Sequence, residues 1–170
     1  MSGPSSEPIS AAASDPDSPA PAAPAESMNL LALDNQFCFA LYSASHAVTK
    51  TYKPLLDQLG LTYPQYLVML VLWEQDGILV KDIGARLFLD SGTLTPLLKR
   101  LEGNGLVERK RDPHDERQVR ISLSAPGRAL RTRALEVPEQ MLCAIGKDVS
   151  TLIGLRDGLV EVRDKTFKQN

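Results

Sequence analysis

The stretch Ser91 to Ser124, SGTLTPLLKRLEGNGLVERKRDPHDERQVRISLS, changes its apolar period partway along. Leu94, Leu97, Leu98 and Leu101 recur at three- and four-residue spacing, which predicts a helix with one inward face. Asp90 or Ser91 offers its cap, and Asn104-Gly105 its left-handed stop. The period then falls to two. Leu106 to Arg111 reads as a strand, PHDE as a turn, and Val119, Ile121 and Leu123 alternate with Arg120 and Ser122. A helix therefore runs into a β-hairpin.

The outer face of that helix carries Ser91, Thr93, Thr95, Lys99 and Arg100. Small hydroxyls let a helix backbone come close to a major groove, and the Lys-Arg pair suits phosphates. The hairpin adds Arg109, Lys110, Arg111, Arg117 and Arg120, with Asp115 two residues before Arg117. An arginine at a hairpin tip can enter a minor groove, and Asp115 is expected to hold its guanidinium. The bland alternatives are a solvated surface helix and an exposed ion pair worth at most ~1 kcal/mol. The two basic elements side by side favour double-stranded DNA.

Upstream, Thr62 and Gln65 form a capping-box pattern, with Pro64 in the first turn of a helix apolar nearly all round. Asp76-Gly77 stops it, Ile78 to Val80 reads as extended, and Ile83 and Leu87 mark a short helix. Residues 62–123 thus read as a winged helix-turn-helix DNA-binding domain. Around it, residues 29–61 and 124–170 read as helices. Asp34 is expected to cap the first, and Pro54 to break or kink it. After the wing, Ser124 caps a helix that Pro138 should bend or restart, and Val149 to Phe167 forms the last. These flanking helices are too apolar for a monomer and are expected to pair as a homodimerisation region. The expected fold is mainly α with a small β-hairpin.

The 170 residues carry a net charge of −2. Residues 1–28 hold four acids and no base, which leaves the remainder at +2. That tail is rich in Pro, Ala and Ser and is expected to be disordered. It has neither the basic nor the apolar region of a signal peptide, and no apolar run approaches a bilayer span. A cytoplasmic protein without a membrane partner is expected. Two cysteines are too few for a disulfide framework, and with His46 and His114 they make no zinc spacing. No metal or other cofactor is expected.

Cys38, between Phe37 and Phe39, lies close to the apolar face of the first helix. Buried packing is the plain reading. Against it, a helix N-terminus favours a thiolate, Tyr42, Tyr52 and Tyr63 offer phenolic donors, and the phenylalanines suit an organic oxidant.

The Ser91–Ser124 stretch, with Asp115-Glu116-Arg117 as an Asp-x-Arg wing core, resembles the MarR family. With LDNQFCFALYSASHAVTKTYKPLLDQLGLTYPQYLVMLVLWE (33–74), the chain resembles its OhrR-type, hydroperoxide-sensing branch. The resemblance runs from about Leu31 to the C-terminus. It implies a homodimeric repressor on a palindromic operator, with Cys38 as the peroxide-sensing thiol. It further implies that Tyr52 and Tyr63 reach the partner's thiolate, with Tyr42 nearby. In the two-cysteine subgroup it implies an intersubunit bridge from Cys38 to Cys143. Three rival readings stand beside it: a MarR-type repressor released by a small phenolic ligand, a thiol peroxidase, for which the basic wing would have no role, and a helix-turn-helix interaction module that binds protein only.

Overall fold

The computed structural model describes residues 29–167. A 3-10 turn (Leu33–Asn35) leads into α1 (Phe37–Asp57) and α2 (Tyr63–Glu74). Then come β1 (Ile78–Leu79), α3 (Val80–Leu87), α4 (Ser91–Gly103), β2 (Val107–Arg111) and β3 (Val119–Leu123). Three helices close the chain: α5 (Ala125–Ala134), α6 (Glu136–Ile145) and α7 (Val149–Phe167). The fold is mainly helical, with one small antiparallel sheet in the order β1-β3-β2. The expected tail at 1–28 lies outside the described residues.

The core sits where α2, α3, α4 and β3 meet. Val68, Met69, Leu72, Ile83, Leu94, Leu98, Leu101 and Ile121 are all at most 1% exposed. Each large apolar side chain so buried contributes about 1.5–3 kcal/mol. Gln65 seals the start of α2, its side-chain carbonyl accepting from the Thr62 N–H at 2.8 Å. Asp90, and not Ser91, caps α4 through the Thr93 N–H at 2.9 Å. Gly105 at φ 71° turns the chain from α4 into the sheet.

Ser124 ties that turn to the next helix. Its hydroxyl donates to the Gly105 carbonyl at 2.6 Å and accepts from the Gly127 N–H at 3.0 Å. Gly127 packs so tightly on the Leu106 carbonyl that an added Cβ would lie 2.0 Å from its oxygen. Trp73, half-buried, donates its indole N–H to the Gly127 carbonyl at 2.9 Å.

Several expectations are corrected. Asp34 does not cap α1; it lies in the 3-10 turn, and Gln36 precedes the helix without a side-chain cap. The helix neither breaks nor ends at Pro54 but continues to Asp57. Both Pro54 and Lys50 are exposed, so water can satisfy the carbonyl that proline leaves without a donor. One expectation holds: a helix restarts around Pro138, with the break at Leu135 and Pro138 in the first turn of α6, where a missing N–H costs nothing. The wing is also more than a hairpin, because Ile78 pairs with Ile121 and adds β1 as a third strand.

The flanking helices differ from the core. On α1 only Leu56 is buried, and on α7 nothing is. Leu41, Val48, Ile145, Leu155, Leu159 and Val162 are exposed around an open groove of about 840 Å³ along α1 and α7.

Candidate nucleic-acid interface and thiol-bearing face

The capped N-terminus of α4 carries the small hydroxyls, and the hydrogen-bond pattern fixes what they can offer. Thr93 donates its hydroxyl to Asp90 at 2.9 Å, and Thr95 donates to the Ser91 carbonyl at 2.7 Å. Both therefore present lone pairs outward. Ser91, Lys99 and Arg100 are exposed on the same helix.

In the wing, Asp115 does not hold the Arg117 guanidinium. Its carboxylate accepts from the Arg117 backbone N–H at 3.0 Å and from the Gln118 amide at 2.9 Å. A short aspartate reaches the backbone two residues ahead more readily than a long side-chain tip. Those bonds, the Gln118 one foremost, keep the Asp115 carboxyl below its ordinary range. The Arg117 guanidinium is left unpaired among the described residues, at a tip whose shape Asp115 sets.

Arg120 is already engaged within the fold. Its Nε and Nη2 donate to Asp112 at 3.1 and 2.5 Å, and its Nη1 donates to the Gly77 carbonyl. It pins the wing to the turn before β1, so its guanidinium is ion-paired and not free. Asp112 is 5% exposed, and alternation in the strand gave no sign of it. Its carboxyl lies below the usual range, held first by the His114 N–H and then by Arg120. Arg111 closes the loop by donating to the Glu116 carbonyl at 2.7 Å. Lys110 pairs with Glu108 at 2.7 Å on the open surface, and Arg109 lies 3.4 Å from Glu102.

On the thiol-bearing face, Cys38 and Cys143 are both free and exposed. The plain reading of Cys38 as a core residue is thus corrected for the single chain. Helical spacing marks an apolar face but does not say what covers it. Phe37 is exposed and Phe39 partly so. Tyr52 and Tyr63 come together, with ring centroids 4.8 Å apart, and Tyr66 joins Tyr52 at 6.0 Å. Burial raises the pKa of all three phenols above the ordinary value, so they stay protonated donors at neutral pH. Tyr42 stacks instead on His46, at 4.4 Å. Sequence reasoning passed over Tyr66, although it lies one turn beyond Tyr63 on α2. No group of metal-binding side chains occurs among the described residues, and no helix there is long and apolar enough to cross a membrane.

Comparison with known proteins places this geometry in a lineage. Residues 50–133 match the family model for the transcriptional regulator SarA/Rot. The chain is 53% identical over 133 residues to the HTH-type transcriptional regulator TtmR of Methylorubrum extorquens, covering 78% of this chain and 68% of that one. It is 46% identical over 138 residues to the organic hydroperoxide resistance transcriptional regulator of Bacillus subtilis, covering 81% and 94%. Among solved structures it is similar to reduced AbfR bound to DNA, with a TM-score of 0.65, 37% identity, and coverage of 81% and 92%. It is also similar to disulfide-formed AbfR, with a TM-score of 0.57 at the same identity and coverage of 81% and 90%. With the winged helix-turn-helix in place and identity sustained over most of its length, the chain belongs to the MarR/SarA family of transcriptional regulators.

Proposed function

We propose that this regulator is a homodimeric, redox-sensing repressor of the OhrR type, acting in the cytoplasm. The reduced dimer binds a palindromic operator in double-stranded DNA. The α4 helices enter successive major grooves, and Arg117 of each wing enters a minor groove. The winged unit, residues 62–123, reads DNA, and residues 29–61 and 124–170 pair the subunits. The observation that carries this reading is the combination, in one chain, of an unpaired wing-tip arginine and an exposed cysteine on an uncovered apolar helix. The names of the relatives support it: one is a hydroperoxide resistance regulator, and AbfR has both DNA-bound and disulfide forms.

The chemistry balances simply. The Cys38 thiolate attacks the terminal oxygen of an organic hydroperoxide. The O–O bond breaks, an alcohol departs after taking a proton, and Cys38 becomes a sulfenic acid. The Cys143 thiol of the partner subunit then attacks that sulfur. An S–S bond forms, and water leaves with the hydroxyl. Two thiols are oxidised and one peroxide is reduced. Tyr52 and Tyr63, as protonated phenols, supply hydrogen bonds to the partner's thiolate or to the departing oxygen. The bridge shifts the helices that carry the wings, and the operator is released. Operator gel shifts with cumene hydroperoxide, followed by dithiothreitol, test the reading. Release and then recovery are expected; binding that survives oxidation would overturn it.

A second reading has its own observation. A mostly apolar cleft of about 460 Å³ lies between α1 and α2, lined by Leu56, Leu61, Tyr63 and Pro64 with Lys50 and Lys53 at its edge. It suits a small phenolic acid, the effector class of a ligand-released repressor. Thermal stabilisation by such a compound, together with indifference to peroxide, would select this reading.

A further inference from the structure

Phe88 breaks a local rule. It ends α3 at φ 55° and ψ 38°, in the left-handed region. Among the described residues every other position with positive φ is a glycine. A bulky side chain there is strained, and glycine is the residue that such a helix end favours. Burial does not explain the aromatic either, because Phe88 is 47% exposed. Its ring has partners from the far end of the chain. The Arg163 guanidinium carbon lies 4.5 Å from the ring centroid, and the Phe167 ring lies 5.0 Å away, centre to centre. Arg163 and Phe167 are one turn apart on α7, so one helix face presents both. Asp164 accepts from the Arg163 Nε at 2.9 Å and orients the guanidinium.

The position of Phe88 gives that contact leverage. Asp90, the cap of α4, follows two residues later. The corner between is tight. The Leu89 N–H donates to the Gly84 carbonyl at 3.0 Å, and a Cβ added to Gly84 would lie 2.8 Å from the Leu89 carbonyl oxygen. A displacement of Phe88 is therefore passed to the start of α4, where Ser91, Thr93 and Thr95 stand. The other side of the contact is loosely held. None of the described residues of α7 is buried, so the core does not fix that helix. The ring pair and the cation over the ring bind its last turns to the winged unit.

We propose that Phe88 is a positioning residue for α4, its ring clasped by Arg163 and Phe167 so that the end of α7 sets the start of the DNA-facing helix. The chain bears a strained backbone at Phe88 because the side chain, not the turn, is what the position needs. The effect on DNA rests on the DNA-binding reading above; the clasp itself does not. Where α7 pairs with a second copy, the clasp is a direct path from the subunit interface to α4.

Phe88→Gly in the full chain separates ring from backbone, because it removes the clasp and relieves the strain together. Amide hydrogen exchange of residues 164–167 should speed up at least about fivefold in this variant, the scale of a lost aromatic pair and cation–π contact. Binding to a duplex that the wild-type protein selects from a random library should weaken by about the same factor. Phe88→Tyr should keep both properties. Phe167→Leu should weaken DNA binding from the other side of the clasp, and the double variant should bind no more weakly than Phe88→Gly, since both remove one contact. Arg163→Gln should weaken binding with the slope of log Kobs against log [KCl] unchanged. A slope lower by about 0.9 would make Arg163 a phosphate contact and overturn the clasp. Wild-type exchange in Phe88→Gly would overturn it, and so would DNA binding as tight as wild type. Failure to select any duplex sinks the DNA reading, and exchange alone then decides whether the clasp stands.

Discussion

Arg120 Nη2 lies 2.5 Å from Asp112 Oδ2, and the same guanidinium reaches the Gly77 carbonyl. One side chain thus joins the far end of β2, the middle of β3 and the turn before β1. The wing is held by an ion pair whose carboxylate is buried. Arg120→Ala should therefore weaken operator binding by moving the wing while leaving the salt slope nearly unchanged. Arg117→Ala, which removes a charge from the tip, should lower that slope by about 0.9. Equal slope changes in the two variants would contradict the separate roles.

The same pair sets an acid limit. Asp112 has its carboxyl pKa depressed in the folded state, by the His114 N–H first and Arg120 second. Asp90, Asp115 and Asp148 are depressed as well, each chiefly by hydrogen bonds from its own turn or helix start. A depressed folded pKa stabilises the native state above the unfolded value, about 3.9 for aspartate, and that contribution is lost as pH falls through the folded value. Melting temperature should hold from neutral pH to about pH 5 and then decline. Asp112→Asn should melt lower than wild type at neutral pH and lose less of its stability between those limits. Parallel curves for the two proteins would remove Asp112 from the account.

The cysteines make separable predictions. Cys38→Ser should bind the operator within about twofold of wild type, equivalent to 0.4 kcal/mol or less, and should not respond to hydroperoxide. Cys143→Ser should still lose its Cys38 thiol to peroxide but run as a monomer on a non-reducing denaturing gel. A persistent dimer band in Cys143→Ser would assign the second thiol elsewhere.

Exposed leucines along α7 test the dimer. Leu155 and Leu159 are 59% and 42% exposed in the single chain. A soluble monomer rarely leaves so continuous an apolar groove open. Leu159→Asp should shift the protein to monomer in sedimentation velocity and lower its melting temperature. An unshifted dimer would mean that α7 lies outside the interface.

Gly127 offers a purely structural test. A methyl group there would meet the Leu106 carbonyl oxygen at 2.0 Å, and backbone on both sides blocks relief. Gly127→Ala should cost about 3 kcal/mol, a fall of roughly 6–12 °C in melting temperature for a chain of this size. A variant as stable as wild type would show that α5 can lift away from the α4–β2 turn.

The sequence by itself determined the helix-and-wing unit. Its signals are local: Leu94, Leu98 and Leu101 on one helical face, Asn104-Gly105 as a stop, and Val119, Ile121 and Leu123 in alternation. Each depends on neighbours within a few residues, so periodicity and turn chemistry suffice to read it. The residues offered Cys38 and the tyrosines as candidates, but their roles came only through family resemblance, because no local rule brings Tyr52 against Tyr63. Tertiary structure alone decided which charges are free. Arg120 and Arg117 look alike in the sequence, yet Asp112 takes one into an ion pair, and Asp115 leaves the other unpaired by bonding backbone instead. It also decided that β1 completes the sheet and that the apolar faces of α1 and α7 lie open. Those outcomes depend on contacts between residues far apart in the chain, and hydrophobic spacing records only that a face must be covered, not by what.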